Sequence, residues 1–408
     1  MSVTTRLAWR NLWRHGRRTW LTVGAMIFCN ILLVFMISFQ FGTYSLMIDS
    51  TLSVLTGHIQ IQEKDYNAEQ RMRNTVPNGI ALATDLRKKT GNSAMAARGT
   101  TFALASSEER SFGIQVMGVQ PEFEAQISTL PGLIQDGRYL QGDDADEIVI
   151  GSVLARNLKA GIGDEVTLLG SGRDGSFAAG VATVVGIINS GMSELDRSIA
   201  QVPLGYFQSV FSMSDQVHSI VVNVGTLGAV EDEKHQLKTL VTTEDLVVLD
   251  WNELQPGLKQ AIQADLFSNF VMYGVLIVLV AFSVLNTQLM AVLERTREFG
   301  VMMALGLRPG ALARLVFLET AIMSLLGLFI GCLIGTAIAA YYQANGVYIP
   351  GMEEAMAKYN LPGELYPQVS LLSIFLGPGT VFIGGMLAAI YPALRLYSLA
   401  PVAAMRAV

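Results

Sequence analysis

Hydrophobic positions in this chain gather into four long blocks. Residues 20–47 and 266–293 contain no Asp, Glu, Lys or Arg; residues 315–343 contain one, Glu319, near the start; residues 370–394 contain none. A helix rises 1.5 Å per residue, so about 20 apolar residues cross a hydrocarbon core of about 30 Å. A charge at the centre of such a helix costs about 2.5–3.5 kcal/mol on insertion scales, and these blocks avoid it. Each block therefore predicts a spanning helix. The first is longer than the core needs and has room to tilt or protrude. It is also too long for a cleaved leader, and no small-residue cleavage pattern follows it.

Between the first two blocks the pattern changes. Residues 48–264 carry short alternating runs separated by turn residues: HIQIQ at 58–62, FGIQVMGV at 112–119, EIVIG at 147–151, EVTLLG at 165–170, ATVVGIIN at 182–189 and HSIVVNV at 218–224. Period-two alternation predicts strands. SVLARNL at 152–158 and VEDEKHQLKTLVT at 230–242 predict helices. The region is expected to be a large mixed α+β domain, in two lobes, inserted between helices 1 and 2.

Composition agrees with that division. Of 408 residues, 51% are hydrophobic and 15% charged, against about 25% charged in ordinary soluble domains. The net charge of −6 excludes nucleic-acid binding as a leading function. Arginine is placed unevenly. Arg6, Arg10, Arg14, Arg17 and Arg18 precede the first block; Arg295, Arg297, Arg308 and Arg314 lie between the second and third; Arg395 and Arg406 follow the fourth. The 344–369 loop has Lys358 against Glu353, Glu354 and Glu364. The positive-inside bias then puts both termini and residues 294–314 in the cytoplasm and residues 48–264 outside. The expected order is an amphipathic N-terminal helix (1–19), span 1 (20–47), the outer domain (48–264), span 2 (265–293), a cytoplasmic connector (294–314), span 3 (315–343), an outer loop (344–369), span 4 (370–394) and a tail (395–408). In 1–19, Leu7, Trp9, Leu12 and Trp13 alternate with arginine at helical spacing, which reads either as an anchor at the inner surface or as a docking element.

Candidate chemistry narrows the function further. No HExxH, GxSxG, CxxC or GxxxxGK[ST] occurs, so no catalytic residue, resident cofactor or phosphate loop is expected. Cys29 and Cys332 both lie in apolar blocks, and His15, His58, His218 and His235 are scattered, so no metal site is expected. Glu194 and Asp196, near Gly191, read as a loop. The blocks carry no ladder of intramembrane charges, which argues against an ion-coupled transporter. Gly327, Gly331 and Gly335 repeat every four residues and predict a close helix–helix contact. Gly377-Pro378-Gly379 predicts a kink. Phe35, Phe39, Phe41 and Met47 in span 1, with Phe267, Phe270 and Met272 in span 2, have the character either of a lipid-facing surface or of a cavity for acyl chains.

The connector is the most distinctive segment. Glu294, Arg295, Thr296, Arg297, Glu298, Phe299 and Gly300, followed by Ala304-Leu305-Gly306, resemble the ERTREIG…ALG loop of FtsX/MacB-type permeases of ABC transporters. The tail Tyr391-Pro392-Ala393, Leu399-Ala400-Pro401-Val402 and Met405-Arg406 is similar to that family's closing pattern. Gly137-Arg138-Tyr139-Leu140, the 147–151 run, the Gly163-Asp164 turn and Glu194-Leu195-Asp196 resemble its outer domain. Thr56-Gly57-His58-Ile59-Gln60-Ile61 is similar to the lipoprotein-releasing (Lol) branch. Met302 and Met303 depart from the family by standing where many members have basic residues. The resemblance implies a coupling helix that docks on an ABC ATPase dimer, with Glu294 through Gly300 and Gly306 as its coupling residues. It implies a second permease copy or a paralogue, and ATP and Mg bound by the ATPase rather than by this chain. Further expected partners are lipids and a periplasmic carrier or adaptor, at a bacterial inner membrane. The expected function is extraction or export of a lipoprotein or lipid-like substrate by mechanotransmission. The alternatives are an FtsX-like regulator that passes ATPase motion to an outside partner, and a peptide or antibiotic efflux permease.

Overall fold

The computed structural model describes residues 3–14, 16–351 and 364–398. His15, Glu353, Glu354, Lys358 and the closing motif at 399–406 lie outside them. Among the described residues, one compact unit is drawn from 3–14, 16–44, 262–348 and 364–398, and another from 45–261 and 349–351.

The helices run in chain order α1 (Val3–Arg14), α2 (Gly16–Thr51), α3 (Gly79–Thr90), α4 (Pro121–Ile127), α5 (Ser152–Leu158), α6 (Ser193–Ser198), α7 (Leu204–Val210), α8 (Val230–Leu240), α9 (Trp251–Leu254), α10 (Pro256–Glu294), α11 (Thr296–Ala304), α12 (Pro309–Asn345), α13 (Leu371–Ala388) and α14 (Ile390–Arg395). Four of the described helical segments are long and apolar enough to cross a membrane: Gly16–Thr56, Pro256–Glu294, Pro309–Asn345 and Leu371–Ser398. Each extends past the C-terminal end of its apolar block, and the first three also past the N-terminal end. α2 alone has 36 residues, roughly 54 Å at the helical rise. A π-helical turn, Leu52–Thr56, follows it and is closed by Gly57 at φ +68°.

In the helical unit, Met26, Cys29 and Leu33 of α2 pack with Val280 and Val284 of α10 and Val381 of α13. α12 meets α2 along its glycines. A Cβ on Gly327, Gly331 or Gly335 would fall 2.7, 2.5 or 3.0 Å from the Cβ of Met26, Asn30 or Val34. α13 runs unbroken through Pro378, and the helix ends at Ala389, between α13 and α14. Proline at 378 leaves the Ile374 carbonyl without its usual helical donor. The Cys332 thiol of α12 takes that carbonyl at 3.4 Å, which supplies the missing partner.

The other unit is built on strands β1 (Ile59–Glu63), β2 (Met95–Ser106), β3 (Ser111–Val119), β4 (Ile134–Gly137), β5 (Glu147–Gly151), β6 (Glu165–Ser171), β7 (Phe177–Ile188), β8 (Ile199–Pro203), β9 (Ser219–Val222) and β10 (Leu246–Asp250). They form one mixed sheet in the order β10-β1-β9-β2-β3-β8-β5-β7-β4, with β6 pairing β2 and β7. In place of two lobes, the strands share one hydrogen-bonded path in one compact unit, with two larger buried clusters. Ile59, Ile61, Leu86, Ile220 and Leu237 centre one, beneath α3 and α8. Ile114, Val116, Ile150, Phe207 and Phe211 centre the other. A short hairpin, β11 (Val347–Tyr348) with β12 (Glu364–Leu365), belongs to the helical unit.

Candidate functional site

The connector is a helix held from below. Arg295 leaves helical geometry at φ −98°, ψ 11°, which ends α10 and starts α11. Phe299 is fully buried among Val292, Leu312, Val316, Ala393 and Leu396. Met302 and Met303 pack partly against the same cluster, so these two positions serve the chain's own core. Gly306, at φ +96°, stops the helix; its N–H and that of Leu307 bond back to Met303 and Met302 at 3.0 and 3.1 Å. A side chain is strained at that φ, and Pro309 then starts α12 with its φ already set.

Electrostatics fix the connector's orientation. Arg295 is 7% exposed and donates to both carboxylate oxygens of Glu319, at 3.0 and 3.3 Å. Asn11 of α1 donates to the same carboxylate at 2.8 Å. The Arg295 guanidinium also lies 4.9 Å above the Phe299 ring. Glu298 pairs with Arg14 at 3.3 Å and Arg295 at 3.4 Å, and Glu294 pairs with Arg18 at 2.7 Å. The expected coupling set therefore divides. Arg295, Phe299 and Gly300 are turned inward and unavailable to a partner, because a buried guanidinium needs its carboxylate and a Phe without a polar edge belongs in the core. Glu294, Arg297, Glu298 and Gly306 are exposed, and Thr296 is half-buried. Arg297 has no ion pair among the described residues, and Val301, Leu305 and Leu307 are exposed beside it.

A pocket of about 440 Å³ opens between α2 and α10. Phe35 and Phe39 line it, their rings stacked at 6.1 Å. Its other wall is polar. Tyr44 donates to Asp265 at 2.5 Å, Gln40 to the Tyr44 hydroxyl at 2.6 Å, and Tyr273 to Gln40 at 3.0 Å. Asn269 completes the network at 2.9 Å from Asp265. Of the expected cavity residues only Phe35 and Phe39 meet here. Phe41 and Met47 are half-buried elsewhere, and Phe267, Phe270 and Met272 are 71, 71 and 39% exposed. The helical repeat explains the difference: Asp265, Asn269 and Tyr273, four apart, share the pocket face of α10, and the phenylalanines occupy the others. The spacing of those three polar residues was the available signal.

The outer domain shows no cluster of metal-ligating side chains among the described residues. Asp196 lies in α6, 2% exposed, and accepts from the Ser190 N–H and hydroxyl at 3.0 and 2.6 Å. It latches a turn. Arg98 and Glu124 form a buried ion pair that sequence reading missed, and Arg98 also donates to the Leu55 carbonyl. His218 is fully buried and accepts from the Thr100 N–H at 2.9 Å; burial pushes its pKa down to about 4.

The chain matches two family descriptions, the MacB-like periplasmic core domain over residues 19–240 and the FtsX-like permease C-terminal over residues 270–401. It is 23% identical over 324 residues to the lipoprotein-releasing system transmembrane protein LolC of Neisseria meningitidis serogroup B, covering 74% of this chain and 75% of that protein. It is 22% identical over 318 residues to the lipoprotein-releasing system transmembrane protein LolE of Haemophilus influenzae, covering 73% and 74%. Among solved structures, the periplasmic region of MacB from Actinobacillus actinomycetemcomitans aligns over 52% of this chain and 94% of that one, at 16% identity and TM-score 0.37.

Proposed function

This chain belongs to the FtsX/MacB-type family of ABC transporter permeases, and we propose that it extracts a lipoprotein or lipid-like substrate from the inner membrane with energy from a partner ATPase. The single observation that carries the transport half is the connector: α11 is buttressed by Phe299 and the Arg295–Glu319 pair and presents Arg297 outward. A buttressed helix whose Arg297 has no ion pair among the described residues, with Val301 and Leu305 exposed, is suited to a partner's acidic, partly apolar groove.

In this reading two ATPase subunits, with ATP and Mg, engage two permease copies, or this chain and a paralogue. The arginine bias puts α11 and both termini in the cytoplasm and the MacB-like domain in the periplasm. ATP binds one ATPase arrangement more tightly than the other. That difference in affinity is the whole free energy available to move the connectors and the helices attached to them. The substrate half rests on the similarity to lipoprotein-releasing proteins along about three quarters of this chain. The Phe35–Phe39 face of the 440 Å³ pocket supplies apolar surface of the kind an acyl chain needs.

Reconstitution tests it. The chain and its ATPase in proteoliposomes carrying an acylated protein should release that protein on addition of ATP. ATP hydrolysis without release, together with ATP-dependent activation of an outside hydrolase, would replace extraction with the regulator reading.

A further inference from the structure

A second pocket lies wholly within the outer domain, on the sheet face away from α3 and α8. Gln62 of β1, Ser219 of β9 and Arg98 of β2 stand in one row across three strands, and Gln60 pairs with Val221 in the next. Thr100 and Met117 extend the face onto β3. The pocket is about 270 Å³. Six side-chain amides line it: Gln60, Gln62, Asn67, Gln70, Gln115 and Gln255.

Its chemistry is polar yet neutral. Among the described residues no Asp, Glu or Lys lines it, and the one cation there, Arg98, is already bonded to Glu124. Gln62 is 1% exposed, and its Nε2 has no hydrogen-bond partner among the described residues. A buried donor left unpaired is unfavourable, and Gln62 lines the pocket, so an acceptor seated there would complete it. An acyl chain would strand the amides. A phosphate would meet no uncompensated charge. A sugar ring would find no open aromatic platform, because Tyr66 is 7% exposed and stacked on His218 at 5.2 Å. A peptide group offers one acceptor and one donor per residue: its acceptor suits the Gln62 amide, while the amides of Gln60, Asn67 and Gln255 already donate within the chain.

We propose that this pocket binds a short, uncharged, extended polypeptide segment of the transported cargo. The volume is below the roughly 300–1,000 Å³ of ordinary ligand pockets, so it holds a few residues of a longer chain rather than a whole molecule. Its floor also joins two junctions. Thr56 ends the turn that follows α2, Gln255 immediately precedes α10, and the Gln255 amide donates to the Thr56 hydroxyl at 3.2 Å. A peptide seated there touches the link between the residues flanking both long helices. The ligand class stands on the pocket alone; its source in the cargo rests on the extraction reading.

The test uses the full chain in nanodiscs with a photoreactive phenylalanine analogue replacing Gln115. Three synthetic probes are compared: a diacylated cysteine followed by a Gly/Ser/Asn/Gln peptide, the same acylated cysteine followed by a polyether, and the blocked peptide without acyl chains. Labelling by the acylated peptide, none by the polyether, and a loss of about fivefold in both Gln62→Leu and Gln255→Ala are expected. Equal labelling by the polyether, or labelling indifferent to both substitutions, overturns the site. Labelling by the blocked peptide but not by the acylated one keeps the peptide pocket and overturns the cargo as its source.

Discussion

Arg295 donates to both carboxylate oxygens of Glu319 at 3.0 and 3.3 Å, joining the start of the connector helix to the third spanning helix. Both residues are nearly buried, at 7 and 4% exposure. Removing Arg295 leaves Glu319 as a buried charge with no cation beside it among the described residues, whereas removing Glu319 leaves Arg295 with Glu298 at 3.4 Å. Arg295→Met should therefore destabilise the protein by about 3–5 kcal/mol, and the double variant Arg295→Met/Glu319→Leu by clearly less, with Glu319→Leu as the other single variant. Thermal unfolding of the four-member mutant cycle in detergent measures this; equal losses in single and double variants would contradict it.

Arg297 and Phe299 lie two residues apart on opposite faces of α11 and should fail in different ways. Arg297→Glu should leave the unfolding midpoint unchanged and weaken ATPase association, about tenfold or more at low salt and less at high salt. Phe299→Ala should cost about 3–5 kcal/mol of stability and lose the ATPase along with the fold. Titrating the purified ATPase at two ionic strengths, beside thermal unfolding, separates the two. Glu298→Lys is a poorer probe, because Glu298 also holds Arg14 and Arg295.

Two glycines of the spanning helices should respond with opposite signs. A Cβ on Gly331 would sit 2.5 Å from that of Asn30, so Gly331→Val should cost about 1–3 kcal/mol by forcing α12 from α2. A Cβ on Gly379 meets nothing within 4 Å, so Gly379→Ala should be neutral or stabilise by about 0.5–1 kcal/mol through helix propensity. Unfolding in the same detergent checks both.

The outer domain should lose stability on acidification through His218. Burial lowers its pKa from 6.5 to about 4, so the native state keeps the ring neutral while the unfolded chain takes up a proton. Stability is complete above about pH 6.5, falls as the pH drops through the interval to about 4, and is lower by roughly 3 kcal/mol beneath it. His218→Gln keeps an acceptor for Thr100 and should flatten that part of the pH profile. An unchanged slope in chemical denaturation between pH 7 and 4 would contradict the assignment.

The spanning helices were legible because uncharged runs of that length have one physical solution. The strands at 58–62, 112–119 and 147–151 were legible from alternation. β2 was not: residues 95–99 are buried on both faces, so Met95-Ala96-Ala97-Arg98-Gly99 shows no period of two, and Arg98 reads as surface. β8 is likewise buried throughout. The connector's motif was visible, but its inward and outward sides depend on Glu319, twenty-four residues from Arg295. No local pattern announces that pairing. The cavity expectation chose phenylalanines by type; the pocket between α2 and α10 takes Asp265, Asn269 and Tyr273 from α10 instead, because they share one face at four-residue spacing.

The most direct measurement is mass spectrometry of the complex crosslinked in its own membranes and purified gently, with a second crosslinking site placed at Arg297. The account predicts an ATPase joined to residue 297, two permease copies, and a bound lipoprotein or stoichiometric lipid in the same particle. A complex without any ATPase, or one joined elsewhere and carrying no acylated molecule, would contradict it.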